Sequence, residues 1–156
     1  MIDSGYIRQI SYGDLNKIFE LEKKCFDIHL AYSRNQLKYL ILNANSNCLV
    51  EVMDKVLRGF IIVLYQKGAK IASIDTLSVD PNFQKKGIGT CLLKAAEDDM
   101  YSRDIKKIKL VVSMNNFAAL ALYEKIGFRK TLTLDNYYKF KNNGTSDAFL
   151  MVKELT

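Results

Sequence analysis

The chain has no tryptophan, one proline, one histidine and three cysteines. Each scarcity excludes something. His29 stands alone, and Cys25, Cys48 and Cys91 are scattered without paired-ligand spacing, so no metal site is expected. An odd number of widely spaced cysteines is not a disulfide framework and fits reduced thiols in a cytoplasmic protein. No apolar run approaches the ~18 residues that a membrane-crossing helix needs. Met1–Gly5 carries no basic segment followed by an apolar one, so no signal peptide is expected. Repeats and low-complexity segments are also missing, and a chain of 156 residues is read as a single domain over 1–156.

What is present is a soluble composition, 49% apolar and 26% charged, with a net charge of +6. That charge favours an anionic partner such as a phosphorylated cofactor, a nucleic acid or an acidic peptide. The lysines are spread along the whole chain, from Lys17 to Lys109 and beyond, which is the pattern of solvated faces. No direct nucleic-acid role and no membrane role are predicted.

The stretch from Ile71 to Ala96 organises the rest. It reads as a strand over Ile71–Val79, a turn at Asp80-Pro81, a basic loop, and a helix that opens at Gly87-Ile88-Gly89-Thr90. Ile88, Cys91, Leu92, Ala95 and Ala96 recur at helical spacing and predict one buried face that includes Cys91. The first N–H groups of a helix have no partner within it, and its dipole is positive there. Glycines that admit a ligand to the main chain, with Lys85 and Lys86 beside them, suit a phosphate. Two glycines before a helix do not by themselves separate a phosphate cradle from an ordinary helix start.

Around this stretch the patterning predicts a strand at Tyr6–Ile10 and a helix capped by Ser11 or Asp14 and running to about Cys25, with Leu15, Ile18, Phe19 and Glu22 on one face. A second helix is capped by Ser33. Strands follow at Cys48–Met53 and Val56–Gln66, joined by a hairpin turn at Asp54-Lys55. After the long helix come a strand at Lys107–Val112, whose Leu110-Val111-Val112 reads as buried on both faces, and a helix at Phe117–Lys125 with an Asn cap and Gly127 as its stop. Strands at Phe128–Leu134 and Ala148–Lys153 pair last. The order β-α-α-β-β-β-α-β-α-β-β makes an α/β fold, a mixed sheet flanked by helices.

Two motifs on this chain resemble the GNAT superfamily of acetyltransferases. Gln84-Lys85-Lys86-Gly87-Ile88-Gly89 is similar to its cofactor loop, and Asn116 through Leu122-Tyr123 to Gly127-Phe128 resembles its second signature. Asn136-Tyr137-Tyr138 and Asp147–Met151 look most like the protein N-terminal acetyltransferases, the branch that includes the ribosomal-protein alanine enzymes. The resemblance implies a mixed central sheet of about seven strands with about four helices. It implies acetyl-CoA as co-substrate, no metal, and a protein or peptide N-terminus as acceptor, with a ribosome or auxiliary subunit as a further partner. Leu77, Ser78 and Val79 would pair with the pantetheine arm through their backbone. Gln84, Lys85, Lys86, Gly87, Ile88, Gly89 and Thr90 would form the pyrophosphate loop, and Asn116 would bond the arm. Tyr123 would protonate the departing sulfur during direct attack by the amine. Packing on the inner face of its helix is the other reading of Tyr123. Tyr32, Tyr137 and Tyr138 would line the peptide entrance, or else pack a sheet edge.

The general base is where the sequence departs from the family. Bacterial relatives keep a Glu where this chain has Val111, and some archaeal relatives a His where it has Ser73. Asp75, two residues beyond Ser73 and on the same strand face, is the first candidate. His29 has a suitable ordinary pKa but reads equally as a surface loop residue. Glu22 and Asp27 are weaker candidates. Two other functions stay open on the same fold: acetylation of a lysine or a small-molecule amine, and a non-catalytic acyl-CoA-binding module.

Overall fold

The computed structural model describes residues 5–155, so the reading of the N-terminal segment falls almost wholly outside it. In chain order the elements are β1 (Tyr6–Gln9), α1 (Leu15–Cys25), α2 (Arg34–Leu42), β2 (Ser46–Met53), β3 (Val56–Tyr65), β4 (Ile71–Val79), α3 (Ile88–Ser102), β5 (Lys107–Ser113), α4 (Phe117–Lys125), β6 (Arg129–Leu134) and β7 (Ala148–Glu154). Short 3-10 turns lie at Tyr12–Asp14 and Pro81–Phe83. The order expected from the patterning is the order found. One seven-stranded sheet runs β1-β2-β3-β4-β5-β7-β6. Its pairs are antiparallel except β4 with β5, which run parallel because α3 carries the chain back across the sheet.

The core lies on both faces of that sheet, and β3 is its spine. Phe60 and Ile62 pack with Leu15, Ile18, Leu21 and Leu37 of α1 and α2, while Ile61 and Val63 pack with Ile88, Leu92, Ala96 and Met100 of α3. Burying a large apolar side chain contributes roughly 1.5–3 kcal/mol. The buried face of α3 therefore outweighs the strain of a few unusual backbone angles in the loop before it, about 1–3 kcal/mol each. Packing sets where this helix begins, and the loop conforms to it.

Two expectations are corrected. Cys91 is exposed: the buried stripe runs through Ile88, Leu92, Leu93, Ala96 and Met100, and Cys91, about 100° from Leu92 around the axis, turns outward. Nor is β5 buried on both faces at Val111. Leu110 and Val112 are buried while Val111 is half-buried, because the neighbouring strand has left it by that point. Smaller adjustments fall on α1, where Leu21 is buried and Phe19 only partly so. Gly127 takes the left-handed stop expected of it, with φ of 106°.

Candidate active site

The site begins with an interruption in β4. Val63 of β3 pairs with Ile74 and Ile62 pairs with Thr76, which leaves Asp75 as an extra, unpaired residue. Such a bulge re-aims the side chains that follow it. Before it, Ala72 and Ile74 pack on the α3 side of the sheet; after it, Leu77 and Val79 do. Thr76 and Ser78 turn the other way, and the Ser78 hydroxyl comes close to Glu22 and Cys25 of α1. On its other edge β4 stays paired with β5 only through Ile71–Lys107, Ala72–Ile108 and Ser73–Lys109. Beyond that rung the strands diverge, and a cavity of about 530 Å³ opens between them. Ser73, Asp75, Leu77 and Val111 line it from the strands, Asn116 and Tyr123 from α4, Glu22 from α1, and Tyr32, Tyr137 and Tyr138 from loops.

Tyr123 is buried, its ring edge-on to Phe128 with centroids 5.6 Å apart. Burial alone pushes its phenol up to about 12, so it is neutral and keeps its proton at neutral pH. Asn116 caps α4 by accepting the Ala119 backbone N–H at 3.3 Å, which engages its carbonyl oxygen, and the residue lines the cavity.

Two acids stand across the cleft, and one residue joins them. The Tyr32 hydroxyl donates to Asp75 Oδ2 at 2.7 Å, and the Tyr32 backbone N–H donates to Glu22 Oε2 at 3.0 Å. Burial raises the pKa of Asp75, opposed by the hydrogen bond from Tyr32. Burial likewise raises that of Glu22, and the nearby charge of Asp75 raises it further, against the Tyr32 N–H and the Ser78 hydroxyl. The second Glu22 oxygen, Oε1, is buried and makes no hydrogen bond. Glu22, a weaker candidate by sequence, continues the inward face of an amphipathic helix. A carboxylate at a core-facing position was the signal that could have raised it.

The loop before α3 is shaped as a cradle. Lys85 and Gly87 both take left-handed backbone angles, φ 63° and 81°, and Gly87 as N-cap offers no side chain to the helix. The N–H groups of Ile88, Gly89 and Thr90 thus lack both an intrahelical acceptor and a side-chain cap. A Cβ on Gly89 would lie 3.4 Å from Leu122 Cδ2, so α3 and α4 meet at the mouth of this cradle. Uncapped donors at a positive helix end suit a pyrophosphate. The unpaired edge of β4 from Asp75 to Val79 leads toward it as a place for an extended arm. These features fit a CoA-type cofactor.

Not every candidate comes together. His29 is outside the cavity lining, its ring stacked on Phe140 at 4.4 Å and 18° between planes. Tyr137 and Tyr138, edge to face at 5.0 Å, do line the cavity. Ser78, Val79 and Gln84–Thr90 stand outside it, along the edge and loop just described. Among the described residues no group of three His, Cys, Asp or Glu could hold a metal, and no helix is long and apolar enough to cross a membrane.

The family model described as "Acetyltransferase (GNAT) family" matches residues 15–128. The chain is 36% identical over 80 residues to the ribosomal protein bS18-alanine N-acetyltransferase of Escherichia coli K12, covering 51% of this chain and 53% of that one. It is 30% identical over 136 residues to N-alpha-acetyltransferase 30 of Xenopus laevis, covering 85% of this chain and 49% of that one. The match thus spans about half the length of these curated relatives. The crystal structure of the ribosomal-protein-S18-alanine N-acetyltransferase from Escherichia coli superposes with a TM-score of 0.86 at 24% identity, over 97% of this chain and 94% of that one.

Proposed function

The chain belongs to the GNAT acetyltransferase family, and from that premise we propose that it transfers an acetyl group from acetyl-CoA to the α-amino group of protein N-termini. The observation that carries this reading is the divergence of β4 from β5 after Ser73 and Lys109, with Asn116 and Tyr123 on one side of the gap and Glu22 and Asp75 also lining it.

Acetyl-CoA, when bound, supplies the acetyl group as an activated thioester. The backbone N–H groups from Lys85 to Thr90 would hold its pyrophosphate, with Lys85 and Lys86 adding charge and Gln84 opening the loop. The backbone of Leu77, Ser78 and Val79 would pair with its pantetheine arm, and the amide of Asn116 would donate to that arm. Tyr123, neutral and close-packed, is the proton donor for the departing sulfur. The attacking amine must shed a proton, and Asp75 and Glu22 are the acids in the cleft that can accept it. His29, tied to Phe140 outside the cavity, is not assigned that role.

Direct transfer to the amine is favoured over a covalent route through the enzyme. Burial raises the thiols of Cys25 and Cys48 to about 11, and Cys91 is not among the cavity residues. Tyr32, Tyr137 and Tyr138 would contact the first residues of the acceptor. An α-amino group, with a pKa near 8, sheds its proton more readily than a lysine near 10.

The test is thiol release from acetyl-CoA with matched short peptides. Release with free N-termini and none with blocked, lysine-containing peptides is the expected result. Activity on the blocked set would replace this reading with lysine acetylation. Tight acetyl-CoA binding without turnover on any amine would leave only a binding module.

A further inference from the structure

The closed end of the cavity is a row of side chains that crosses from β3 to β5. Leu64 of β3 pairs with Ser73 of β4, and Ser73 pairs with Lys109 of β5. Residues paired in this way share one face of the sheet. Their neighbours along the strands, Ala72 and Ile74 in β4 and Ile108 and Leu110 in β5, pack in the core beneath α3. Ser73 and Lys109 therefore point to the opposite face, where Leu64 and Tyr32 pack with α1. Leu64, Ser73 and Lys109 all line the cavity.

Ser73 and Lys109 both carry donors, and neither donor is engaged. Among the described residues the Ser73 hydroxyl makes no hydrogen bond, and the Lys109 ammonium makes neither a hydrogen bond nor an ion pair. Lys109 is nevertheless half-buried. Glu154, on the same face opposite Lys107, is already shared by Lys107 at 3.8 Å and Arg129 at 3.6 Å. Within the cavity, Asp75 receives the Tyr32 hydroxyl and Glu22 the Tyr32 backbone N–H. The Lys109 charge moves the pKa of neither acid. A half-buried ammonium beside a free hydroxyl suits an anion, because donors withdrawn from water without a partner cost free energy.

We propose that the Ser73–Lys109 rung is a carboxylate subsite, and that the preferred acceptor carries an acidic side chain within its first two residues to fill it. The inference rests on the N-terminal acetylation reading above and adds to it which sequences the site selects. A carboxylate has two oxygens and accepts from both donors at once, and its bond to the ammonium is charge-assisted. Leu64 beside the pair offers apolar contact to the methylene that carries the carboxylate. The acceptor amine has to lie where β4 and β5 have separated, beyond this rung. Tyr137 and Tyr138 stand at the other end, where the Ser113 hydroxyl holds their loop through the Asn142 carbonyl at 2.8 Å. A chain leaving past these tyrosines has the rung behind its amine, within reach of its first side chains. Successive side chains of an extended acceptor point in opposite directions, so only one of the first two reaches it. A basic side chain there meets Lys109 as a like charge.

The experiment is binding of short peptide amides to the full chain saturated with CoA, which carries no acetyl group and so allows no turnover. One pair has aspartate or asparagine at the first position, and a second pair has them at the second position. At one of these positions aspartate should bind at least about fivefold more tightly than asparagine, a difference that side chains of equal size assign to charge. A smaller preference at both positions would overturn the proposal. Lys109→Glu should reverse the order, with asparagine above aspartate and a lysine-bearing peptide above both. An unchanged order in that variant also overturns it. Should the variant fail to fold, the wild-type comparison still decides. Thiol release from acetyl-CoA with the same peptides keeps the two readings apart. Acid-selective binding without acetylation of any peptide would sink the functional reading and leave the subsite intact, whereas acetylation without acid-selective binding would do the reverse.

Discussion

Gly59 of β3 lies under Ile88 of α3 so closely that a Cβ on the glycine would stand 3.2 Å from Ile88 Cγ2. The same atom would meet the Ser78 carbonyl oxygen at 3.0 Å and Leu92 Cδ1 at 3.3 Å. The absent side chain is what lets the start of α3, and so the row of uncapped N–H groups, sit against the sheet beside the edge of β4.

Gly59→Val should therefore act twice. Overpacking of this kind costs about 1–3 kcal/mol, read as a lower midpoint in urea. It should also weaken CoA binding in the fraction that stays folded, because Ile88 and Leu92 of α3 must move off position 59. A loss of stability with unchanged CoA affinity would separate the helix position from the cradle.

Tyr123→Phe should lower turnover by about 10²-fold or more while leaving the CoA dissociation constant within about twofold. The phenol is held up to about 12 by burial, so in the wild type it stays protonated well past neutrality. Any fall in rate on the alkaline side below about pH 10 then belongs to another group, and that limb should persist in whatever activity remains in the variant. An unchanged rate would remove Tyr123 as the acid.

The acid limb of the pH–rate profile should lie above the ordinary carboxylate range near pH 4, since burial raises the pKa of both Glu22 and Asp75 and the Asp75 charge raises that of Glu22 further. A base must be ionised to work, so the rate falls as pH drops through the raised value. Asp75→Asn takes away the charge that adds to burial in raising Glu22, and the limb should move to lower pH with activity retained. A collapse of turnover at every pH would make Asp75 the proton acceptor itself.

The same shift has a stability side with a definite sign. An acid whose folded pKa is raised above its unfolded one disfavours the folded state when ionised, and that cost disappears as pH falls through the folded value. Glu22→Gln keeps an oxygen for the Tyr32 N–H and removes the buried charge. It should melt about 2–4 °C higher than the wild type near pH 7, with the gap closing in mild acid, while its turnover falls. A lower melting temperature at pH 7 would count against the raised carboxylate.

How much of this was legible in the residues depends on how local the cause is. The helices, their order and Gly127 as a stop follow from spacing and capping, which neighbouring residues decide. The turn into α3 was readable at Gly87, because a left-handed N-cap position favours glycine. The bulge at Asp75 left a trace that went unread: Asp75-Thr76 sets two polar residues between Ile74 and Leu77 and shifts the alternation by one, and pairing with β3 places the extra residue. Glu22 looked like one more residue on an inward helix face, since the contact that matters comes from Tyr32, beyond the helix end. Cys91 was placed inward by a spacing that fits two stripes of α3, and the sheet below chose the other one.

That extra residue makes β4 a strand whose length is informational. A β4 that paired straight through with Asp75 in the count would throw Leu77 and Val79 onto the α1 side and Thr76 and Ser78 into the α3 core, whereas deleting Asp75 would leave both rows on the faces they hold. A reading frame of side chains, counted from the bulge, is thus written into the wall of the cleft: Asp75 is its inserted letter, and removing it restores plain alternation while taking that acid out of the cavity.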